Sequence, residues 1–370
     1  MDHHGCLDPH PIYRLAGLDP GRHIAPGHYP DYFRSPRHPR SKPSDLIEVD
    51  TKQPERGKMI EISIMIEGQN GLNWKRWQNI ASVVEACGYA GLYRSDHYTN
   101  ANPPDLDSLE CWVSLTWLAT HTERLKFGPL VSPISFRHPT HTARMAAAVD
   151  DLSAGRLILG IGAGWQEREH ANYGWELLPP NERFTRLQEG LEVITRLFHS
   201  DTPVNFTGHY YHLHDGILLP RPVHPGGPPI LIGGNGVRRT LPLVARYAQV
   251  WNALLIPPQE LAPLNARLDE YLKIEGRQPG EVRRTLMTGC IFGISHEDVQ
   301  RKVSLRTHGQ RTIANLREHG TILGTAEEIL EQCRQLARIG IQEVMLQWLD
   351  LDDTHGLEAM ADGILDQLSV

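Results

Sequence analysis

The feature that most constrains the fold is a regular alternation of short apolar runs and helix-like segments from Met59 onward. Short runs rich in β-branched residues predict strands, and apolar residues recurring at helical spacing predict helices. Eight such units close into a barrel, so the sequence predicts an α/β fold, a single (β/α)8 TIM barrel with insertions over residues 59–370. The predicted strand and helix pairs are 60–66 with 74–87, 91–94 with 107–121, 125–131 with 139–151, 156–162 with 182–198, 229–232 with 237–247, 249–253 with 259–276, 284–294 with 296–306, and 343–347 with 355–369.

Three segments depart from this alternation. Residues 165–181 separate the fourth predicted strand from its helix, and residues 200–228 contain a predicted hairpin. Residues 307–325 form a further excursion before a predicted helix at 326–339. Long loops in a compact barrel are usually functional, often as lids or substrate walls.

Residues 1–58 have a different character, because they are rich in Pro, His and Arg and show no helical or strand period. Such a segment buries too little apolar surface to offset the entropy of ordering, so it predicts an irregular extension without a catalytic role. The alternative is that its aromatic residues hold it against the barrel or a partner subunit: Tyr13, Tyr29, Tyr32 and Phe33.

Charge and hydropathy exclude several classes of partner. The net charge of −7 argues against a nucleic-acid partner, which needs a concentrated basic surface. No apolar run reaches the roughly 18 residues that cross a bilayer, and the first residues lack the apolar core of a signal peptide. We therefore expect a cytoplasmic protein with no membrane partner.

Cysteine and histidine patterns give no sign of a metal site. The chain has five cysteines and no C-x-x-C pair, so we expect reduced thiols rather than a disulfide framework. His209, His212 and His214 cluster in the predicted hairpin, but no H-E-x-x-H and no spaced carboxylate complete a ligand set. The absence of G-x-S-x-G and Walker loops disfavours serine hydrolase and P-loop chemistry.

The sharpest chemical candidates follow the second predicted strand. Active sites of such barrels lie at the carboxyl ends of the strands, where Ser95, Asp96 and His97 stand. A histidine near neutral pKa can give or take a proton, and an adjacent carboxylate can orient it or bind a cofactor edge. The alternative is that Asp96 and His97 only cap the following segment.

Two glycine-rich strand ends predict a cofactor cradle. Residues 160–164, Gly-Ile-Gly-Ala-Gly, lack the register of a dinucleotide fingerprint but let a flat ring approach the backbone. Residues 233–236, Gly-Gly-Asn-Gly, stand before a predicted helix, where exposed N–H groups favour a phosphate. A plain glycine turn is the alternative for this second segment.

Several segments together resemble a known family. They are GYAGLYRSDH at 88–97, FRHP at 136–139, SAGR at 153–156, GAGW at 162–165, ERF at 182–184, PILIGG at 229–234, ARYA at 245–248 and LGT at 323–325. In this order they resemble the luciferase-like family of flavin- and deazaflavin-dependent oxidoreductases. The segment LQWLDLDD at 346–353 resembles the branch described as probable F420-dependent oxidoreductases.

The resemblance implies that F420, or alternatively FMN, binds at the carboxyl ends of the strands. Asp96 and His97 then lie beside the ring, and His97 is implicated in proton transfer. Many relatives have a non-proline cis peptide under the ring, which maps near Pro129–Leu130. The implied cofactor contacts are Asp96, Pro129, Leu130, Val131, Ala163, Gly164, Trp165, Gly233, Gly234, Asn235 and Gly236.

One residue departs from the resemblance. Some F420-dependent sugar-phosphate dehydrogenases place a catalytic glutamate immediately after the glycines of the fourth strand, where this chain has Trp165. Glu67, at the end of the first predicted strand, is the substitute candidate for a catalytic acid, and a solvated loop acid is its alternative.

These observations predict an F420-dependent oxidoreductase that transfers a hydride between the deazaflavin and a small organic substrate. The first alternative keeps the fold but uses FMNH2 and O2 as a monooxygenase. The second alternative is a non-catalytic flavin-binding barrel. A homodimer is expected because dimers are usual among the proteins that the chain resembles.

Overall fold

The computed structural model describes residues 60–368, so the predicted extension at 1–58 lies outside the described residues. The strands are β1 Glu61–Ile66, β2 Gly91–Arg94, β3 Lys126–Pro129, β4 Ser132–Pro133, β5 Leu159–Gly162, β6 Val204–Thr207, β7 His212–Gly216, β8 Ile230–Gly233, β9 Val250–Leu254, β10 Arg283–Phe292, β11 Ile322–Gly324 and β12 Glu343–Gln347. The helices are α1 Trp74–Cys87, α2 Cys111–His121, α3 Pro139–Leu152, α4 Glu167–Tyr173, α5 Pro180–His199, α6 Thr240–Tyr247, α7 Pro258–Ile274, α8 His296–Thr307, α9 Ile313–Glu318, α10 Ala326–Arg338 and α11 Thr354–Ile364.

The main sheet is parallel and confirms the predicted barrel. Its hydrogen-bonded order is β3-β2-β1-β12-β10-β9-β8-β5-β4, and β11 pairs with the end of β10. The two ends of this path, β3 and β4, are halves of one strand, separated only by Leu130 and Val131. The sheet therefore returns on itself as eight strands, with a further parallel bridge between Phe127 and Leu157 beside the break.

The break falls at a cis peptide bond between Leu130 and Val131. The sequence predicts one strand over 125–131, whereas β3 ends at Pro129 and pairing with β5 resumes at Ser132. The resemblance placed a cis bond near Pro129–Leu130, and the structure has it one bond further along.

Glycines in β3 and β5 allow the broken strand to lie unusually close to its neighbour. A Cβ at Gly160 would overlap the carbonyl oxygen of Pro129, and a Cβ at Gly128 would overlap that of Ile158. A Cβ at Gly162 would lie 2.5 Å from Cγ2 of Val131. The glycine-rich fourth barrel strand is therefore required by backbone packing, independently of any ligand.

Replacing Gly160 with alanine is expected to lower the free energy of unfolding by about 3 kcal/mol, because the backbone of Pro129 cannot move aside cheaply. Urea unfolding followed by circular dichroism measures this change. The control is Gly280→Ala, where nothing lies within 4 Å of the added Cβ and φ is not positive. That substitution should change the stability by less than about 0.5 kcal/mol, and equal effects at both sites would contradict the packing argument.

Local signals fix several helix ends. Asn73 caps α1 by accepting a hydrogen bond from the Arg76 N–H, and Gly88 ends it at a φ of 85°. The predicted helix over 107–121 begins only at Cys111, because Glu110 caps it by accepting from the Val113 N–H. The predicted helix over 237–247 begins at Thr240, whose N–H donates to the carbonyl of Gly236.

The buried apolar residues form three clusters. Two of them lie on either side of the strands, and the third packs α8 and α9 against β11. A large cluster fills the space between the strands and the outer helices. A small cluster fills the barrel interior and consists of Met65, Tyr93, Leu130, Leu231, Val250, Met287 and Met345.

Within residues 60–368, no helix is both long enough and apolar enough to cross a membrane.

The insertions contain elements of their own. β6 and β7 form the hairpin predicted within 200–228. The segment 165–181 contains α4, and 307–325 contains α9 and β11, none of which the sequence patterns predicted. Of these, α4 bears directly on the site described below.

Candidate active site

A cavity of about 510 Å³ opens at the carboxyl ends of the barrel strands. This is the face where barrel enzymes place their chemistry, and the volume lies within the range of small-molecule sites, roughly 300–1,000 Å³. The residues that line it are Met65, Glu67, Gln69, Ser95, His97, Leu130, Val131, Pro133, Gly162, Ala163, Gly164, Trp165, Arg183, Phe184, Gly233, Gly234, Thr240, Asn252, Leu254, Leu255, Met287 and Gln347.

His97 lines this cavity and is held by a buried carboxylate. Its Nδ1 lies 2.8 Å from Oε2 of Glu169, a residue with no solvent exposure. Because a carboxylate only accepts hydrogen bonds, Nδ1 carries the hydrogen and Nε2 is the nitrogen left for a proton. Among residues 60–368, no protein group lies within hydrogen-bonding distance of Nε2.

The surroundings of His97 favour its protonated form. Burial lowers the pKa of the imidazole, but the hydrogen bond and negative charge of Glu169 outweigh that effect. The charges of Glu67 and Asp96 act in the same direction, and the net pKa lies above its ordinary value. His97 is therefore placed to receive a proton from a bound molecule and to hold it.

Glu169 is the functional residue that the sequence patterns missed. It lies on α4, in the insertion after the fourth barrel strand, and its Oε1 accepts the backbone N–H of Tyr98 at 2.6 Å. The insertion therefore fixes both the imidazole and the chain that follows it. The length of the insertion was the only sign in the sequence that it contributes to the site. The helix α4 has seven residues, which are too few turns for a clear apolar period.

The structure separates Asp96 from its neighbour His97. Asp96 is 2% exposed and does not line the cavity. Its Oδ2 accepts hydrogen bonds from Arg137 at 2.5 Å and from the Ser132 hydroxyl at 2.6 Å. Arg137 also contacts Glu110 at 2.9 Å. Asp96 thus ties the end of β2 to β4, and its predicted contact with a cofactor stays a prediction.

Glu67 lines the same cavity as His97 and is held by two amides. Its Oε1 accepts from the Gln347 amide at 2.7 Å and its Oε2 from the Gln69 amide at 2.9 Å. Gln69 in turn accepts from the Ser95 hydroxyl at 2.7 Å. The two amides hold the carboxylate in the cavity wall, and its predicted role as a catalytic acid stays a prediction.

The predicted cofactor contacts fall into two groups. The cavity is lined by most of them: Leu130, Val131, Ala163, Gly164, Trp165, Gly233 and Gly234. Four predicted contacts do not line it: Asp96, Pro129, Asn235 and Gly236. The amide of Asn235 instead donates to the Leu254 carbonyl at 2.7 Å and accepts the Leu254 N–H at 2.9 Å, which pins the loop to β9.

Residues that the sequence patterns did not assign complete the wall. Arg183 donates from Nη1 to the Gly164 carbonyl at 2.8 Å and lies beside Phe184. At the start of α6, Thr240 lines the cavity, whereas the predicted contact Gly236 does not. Arg183 and Phe184 belong to the ERF segment quoted above, which marked the family resemblance without indicating a role.

Metal-ligating side chains are not grouped around this cavity within residues 60–368. In the part of the chain that the structure describes, no three His, Cys, Asp or Glu side chains are grouped so that they could hold an ion. His209 and His214 lie on the hairpin, away from the cavity lining.

Comparison with protein families gives a match over most of the chain. The family model described as luciferase-like monooxygenase matches residues 59–343. The match begins where the predicted strand–helix alternation begins, and it covers all of the cavity-lining residues except Gln347.

Curated relatives include enzymes described as F420-dependent. The F420-dependent glucose-6-phosphate dehydrogenase of Kineococcus radiotolerans is 27% identical over 303 residues, which cover 78% of this chain and 83% of that protein. The F420-dependent hydroxymycolic acid dehydrogenase of Mycobacterium tuberculosis is 31% identical over 180 residues, or 47% of each chain.

Solved structures share the fold. An F420-dependent secondary alcohol dehydrogenase in complex with an F420-acetone adduct matches with a TM-score of 0.73 and 18% identity, covering 83% of this chain and 98% of that one. The long-chain alkane monooxygenase LadA matches with a TM-score of 0.69 and 16% identity, covering 83% and 91%. At these identities the likeness shows the barrel alone, because one barrel fold serves many chemistries.

Proposed function

This chain belongs to the luciferase-like monooxygenase family, and we propose that it is an F420-dependent oxidoreductase acting on a small organic alcohol or carbonyl compound. The observation that carries the proposal is His97, whose Nδ1 is fixed by buried Glu169 while the ring lines the cavity. A two-electron oxidation of an alcohol needs a hydride acceptor and a proton acceptor, and the protein supplies the second.

The cavity fits a flat, partly polar ring. Leu130 and Val131 line it with apolar side chains, and Gly233 and Gly234 line it without side chains. The lining also includes the amides of Gln69 and Gln347, which would meet the hydrogen-bonding edge of a deazaflavin or flavin. The relatives described as F420-dependent favour the deazaflavin.

The chemistry divides between the cofactor and the protein. When bound, F420 would supply a carrier that exchanges a hydride with a substrate carbon. His97 would take the hydroxyl proton at Nε2 during alcohol oxidation and return it during carbonyl reduction. Glu169 would stabilise the resulting imidazolium, as its effect on the pKa of His97 indicates. Glu67, held by Gln69 and Gln347, would orient the substrate or act as a second acid.

Asp96 has a different role in this proposal. Its carboxylate is fully engaged by Arg137 and Ser132, so it positions the segment that carries His97. We propose Asp96 as a positioning residue that also contributes a favourable charge beside the imidazole.

The direct test is hydride transfer. Purified protein is incubated with oxidised F420 and candidate alcohols deuterated at the carbinol carbon, and the reduced cofactor is analysed by mass spectrometry. The proposal expects one deuterium on F420 for each alcohol oxidised. Tight F420 binding with no transfer to or from any alcohol or carbonyl compound would support the non-catalytic alternative instead.

Replacing Glu169 with glutamine is expected to move the pH profile of kcat/KM. Glu169 raises the pKa of His97, whereas burial alone lowers it, so the variant should have a lower His97 pKa. In alcohol oxidation the activity rises with pH as His97 loses its proton, and this rising limb should move to lower pH. The plateau should fall about tenfold because His97 becomes a weaker base.

Measured profiles of the parent and of Glu167→Gln, an exposed acid on the same helix, provide the comparison. An unmoved limb in the Glu169→Gln profile would contradict the assigned pair.

We also propose a homodimer. Apolar side chains are exposed on the outer face of α1 and α2, where Trp74 is 38% and Val113 56% exposed and Trp74 packs edge-on against Trp117. Exposed apolar surface of this kind marks interfaces. Light scattering after size exclusion should give twice the mass of one chain, and Val113→Asp should shift the mass toward one chain. A single-chain mass for the parent would exclude the dimer.

A further inference from the structure

The side chains around the mouth of the cavity indicate what kind of substrate it accepts. We infer that the substrate is an uncharged compound with an apolar group, which lies against an apolar rim formed by Trp165, Leu254 and Leu255. This inference rests on the proposed function and specifies its substrate class.

The three side chains of the rim leave much of their apolar surface exposed to water. Trp165 is 60% exposed, Leu255 49% and Leu254 39%, although all three line the cavity. Large apolar side chains left open to water around a cavity gain free energy only when a ligand or partner covers them. The rim is therefore a surface that an apolar group of the substrate would cover.

The backbone holds this rim in a fixed and costly conformation. Leu255 has a φ of 47°, in the left-handed region that leucine rarely adopts, and its N–H donates to the Met287 carbonyl at 2.9 Å. The amide of Asn235 makes hydrogen bonds with both the N–H and the carbonyl of Leu254. A rim held in this way is ordered before binding, which reduces the entropic cost of covering it.

Trp165 belongs to the rim and also contacts His97, the residue proposed to take the proton. The indole and the imidazole of His97 meet edge to face, with ring centroids 5.6 Å apart and an interplanar angle of 82°. A substrate that gives its hydroxyl proton to His97 therefore has the indole beside its adjoining carbon atoms. Trp165 is the specificity-determining residue of this inference.

The charges of the cavity argue against an anionic substrate. Among the lining residues that the structure describes, the ionisable groups are Glu67, His97 and Arg183, and no lysine is present. Arg183 is the one arginine among them. Its Nη1 donates to the Gly164 carbonyl, its buried Nε has no partner among the described residues, and Glu67 would repel an anion. A phosphate monoester carries roughly −1.5 to −2 charges and is normally held by several cationic donors. A sugar phosphate therefore lacks a matching site here.

The experiment compares kcat/KM with F420 for straight-chain secondary alcohols of increasing length, glucose and glucose 6-phosphate. The inference expects kcat/KM to rise up to about fourfold for each added methylene until the rim is covered, which is the gain from burying one such group. Glucose and glucose 6-phosphate should be at least about 100-fold poorer than the best alcohol.

Variants identify the surface responsible. Trp165→Ala should flatten the dependence on chain length, with most of the loss in KM for the longer alcohols. Ile274→Ala, which removes an apolar side chain that is 75% exposed and does not line the cavity, should leave the slope unchanged. A slope that survives in Trp165→Ala would overturn the role of the indole.

The outcomes separate this inference from the proposed function. Turnover that favours glucose 6-phosphate, or that is independent of chain length, would overturn the substrate class and leave the F420-dependent chemistry intact. No turnover of any compound would overturn the proposed function, and the substrate class would fall with it.

Discussion

Replacing His97 with alanine is expected to lower kcat for alcohol oxidation by about 100- to 10,000-fold, the usual contribution of a positioned general base. The imidazole lines the cavity, its Nδ1 is occupied by Glu169, and its Nε2 has no hydrogen-bond partner in residues 60–368. Without it, a substrate hydroxyl has no neutral base at this end of β2. The Kd for F420 should change far less than kcat, since the loss concerns the proton rather than the ring.

Steady-state kinetics and a fluorescence titration of F420 on the same protein separate these two effects. His141→Ala is the matched control, because His141 is an exposed histidine on α3 outside the cavity lining. It should retain activity within about twofold. A His97→Ala variant that retained the parent kcat would remove His97 from the mechanism.

Replacing Asp96 with alanine is expected to lower the free energy of unfolding by about 3 kcal/mol. Asp96 is 2% exposed and the Arg137 side chain 15% exposed, so the substitution leaves a buried guanidinium without its nearest carboxylate. Removing one partner of a buried pair commonly costs about 3–5 kcal/mol. The remaining contact between Arg137 and Glu110 places the expected loss near the lower end of that range.

The substitution of Asp96 should also remove a hydrogen bond of the neighbouring Ser132. The Ser132 hydroxyl donates to Asp96 and accepts from the Trp112 indole at 3.1 Å, so the variant leaves this hydroxyl without its acceptor. Denaturant unfolding measures the change, and Asp105→Ala is the control. Asp105 pairs with Arg168 at the surface, and its loss should change the stability far less than the loss of Asp96.

A double variant separates pairing from other effects. If Arg137 is destabilising only because its charge is unmatched, Asp96→Ala with Arg137→Leu should be more stable than Asp96→Ala alone. Equal stability of the Asp96→Ala variant and the parent would show that the buried pair does not hold β2 to β4.

The barrel could be predicted because each strand–helix unit carries its own local period. The units at 74–87, 91–94 and 343–347 have the predicted bounds. The apolar pattern did not reveal the break at Leu130–Val131, since an apolar run looks the same whether its backbone is continuous or interrupted; the family resemblance placed it within one bond. The close approach of β3 to β5 shows instead in the glycines at 128, 160 and 162, which are explained once the packing is known.

The sequence indicated the cavity residues that directly follow barrel strands. It did not indicate the residue that an insertion contributes. His97 and the glycines at 164, 233 and 234 reach the cavity because the barrel brings all strand ends together. Glu169 stands 72 positions from His97 along the chain, and no periodicity records a pairing of that kind. Asp96 illustrates the converse, because adjacency to His97 in sequence does not place its side chain on the same side of the backbone.

The F420 assignment is tested by a parallel titration of the purified chain with F420 and with FMN, followed by addition of a secondary alcohol to each complex without oxygen. We predict micromolar or tighter binding of F420 and its reduction by the alcohol, with weak FMN binding. Tight binding of FMN without binding of F420, together with substrate oxygenation when reduced FMN and O2 are supplied, would contradict it and establish the monooxygenase alternative.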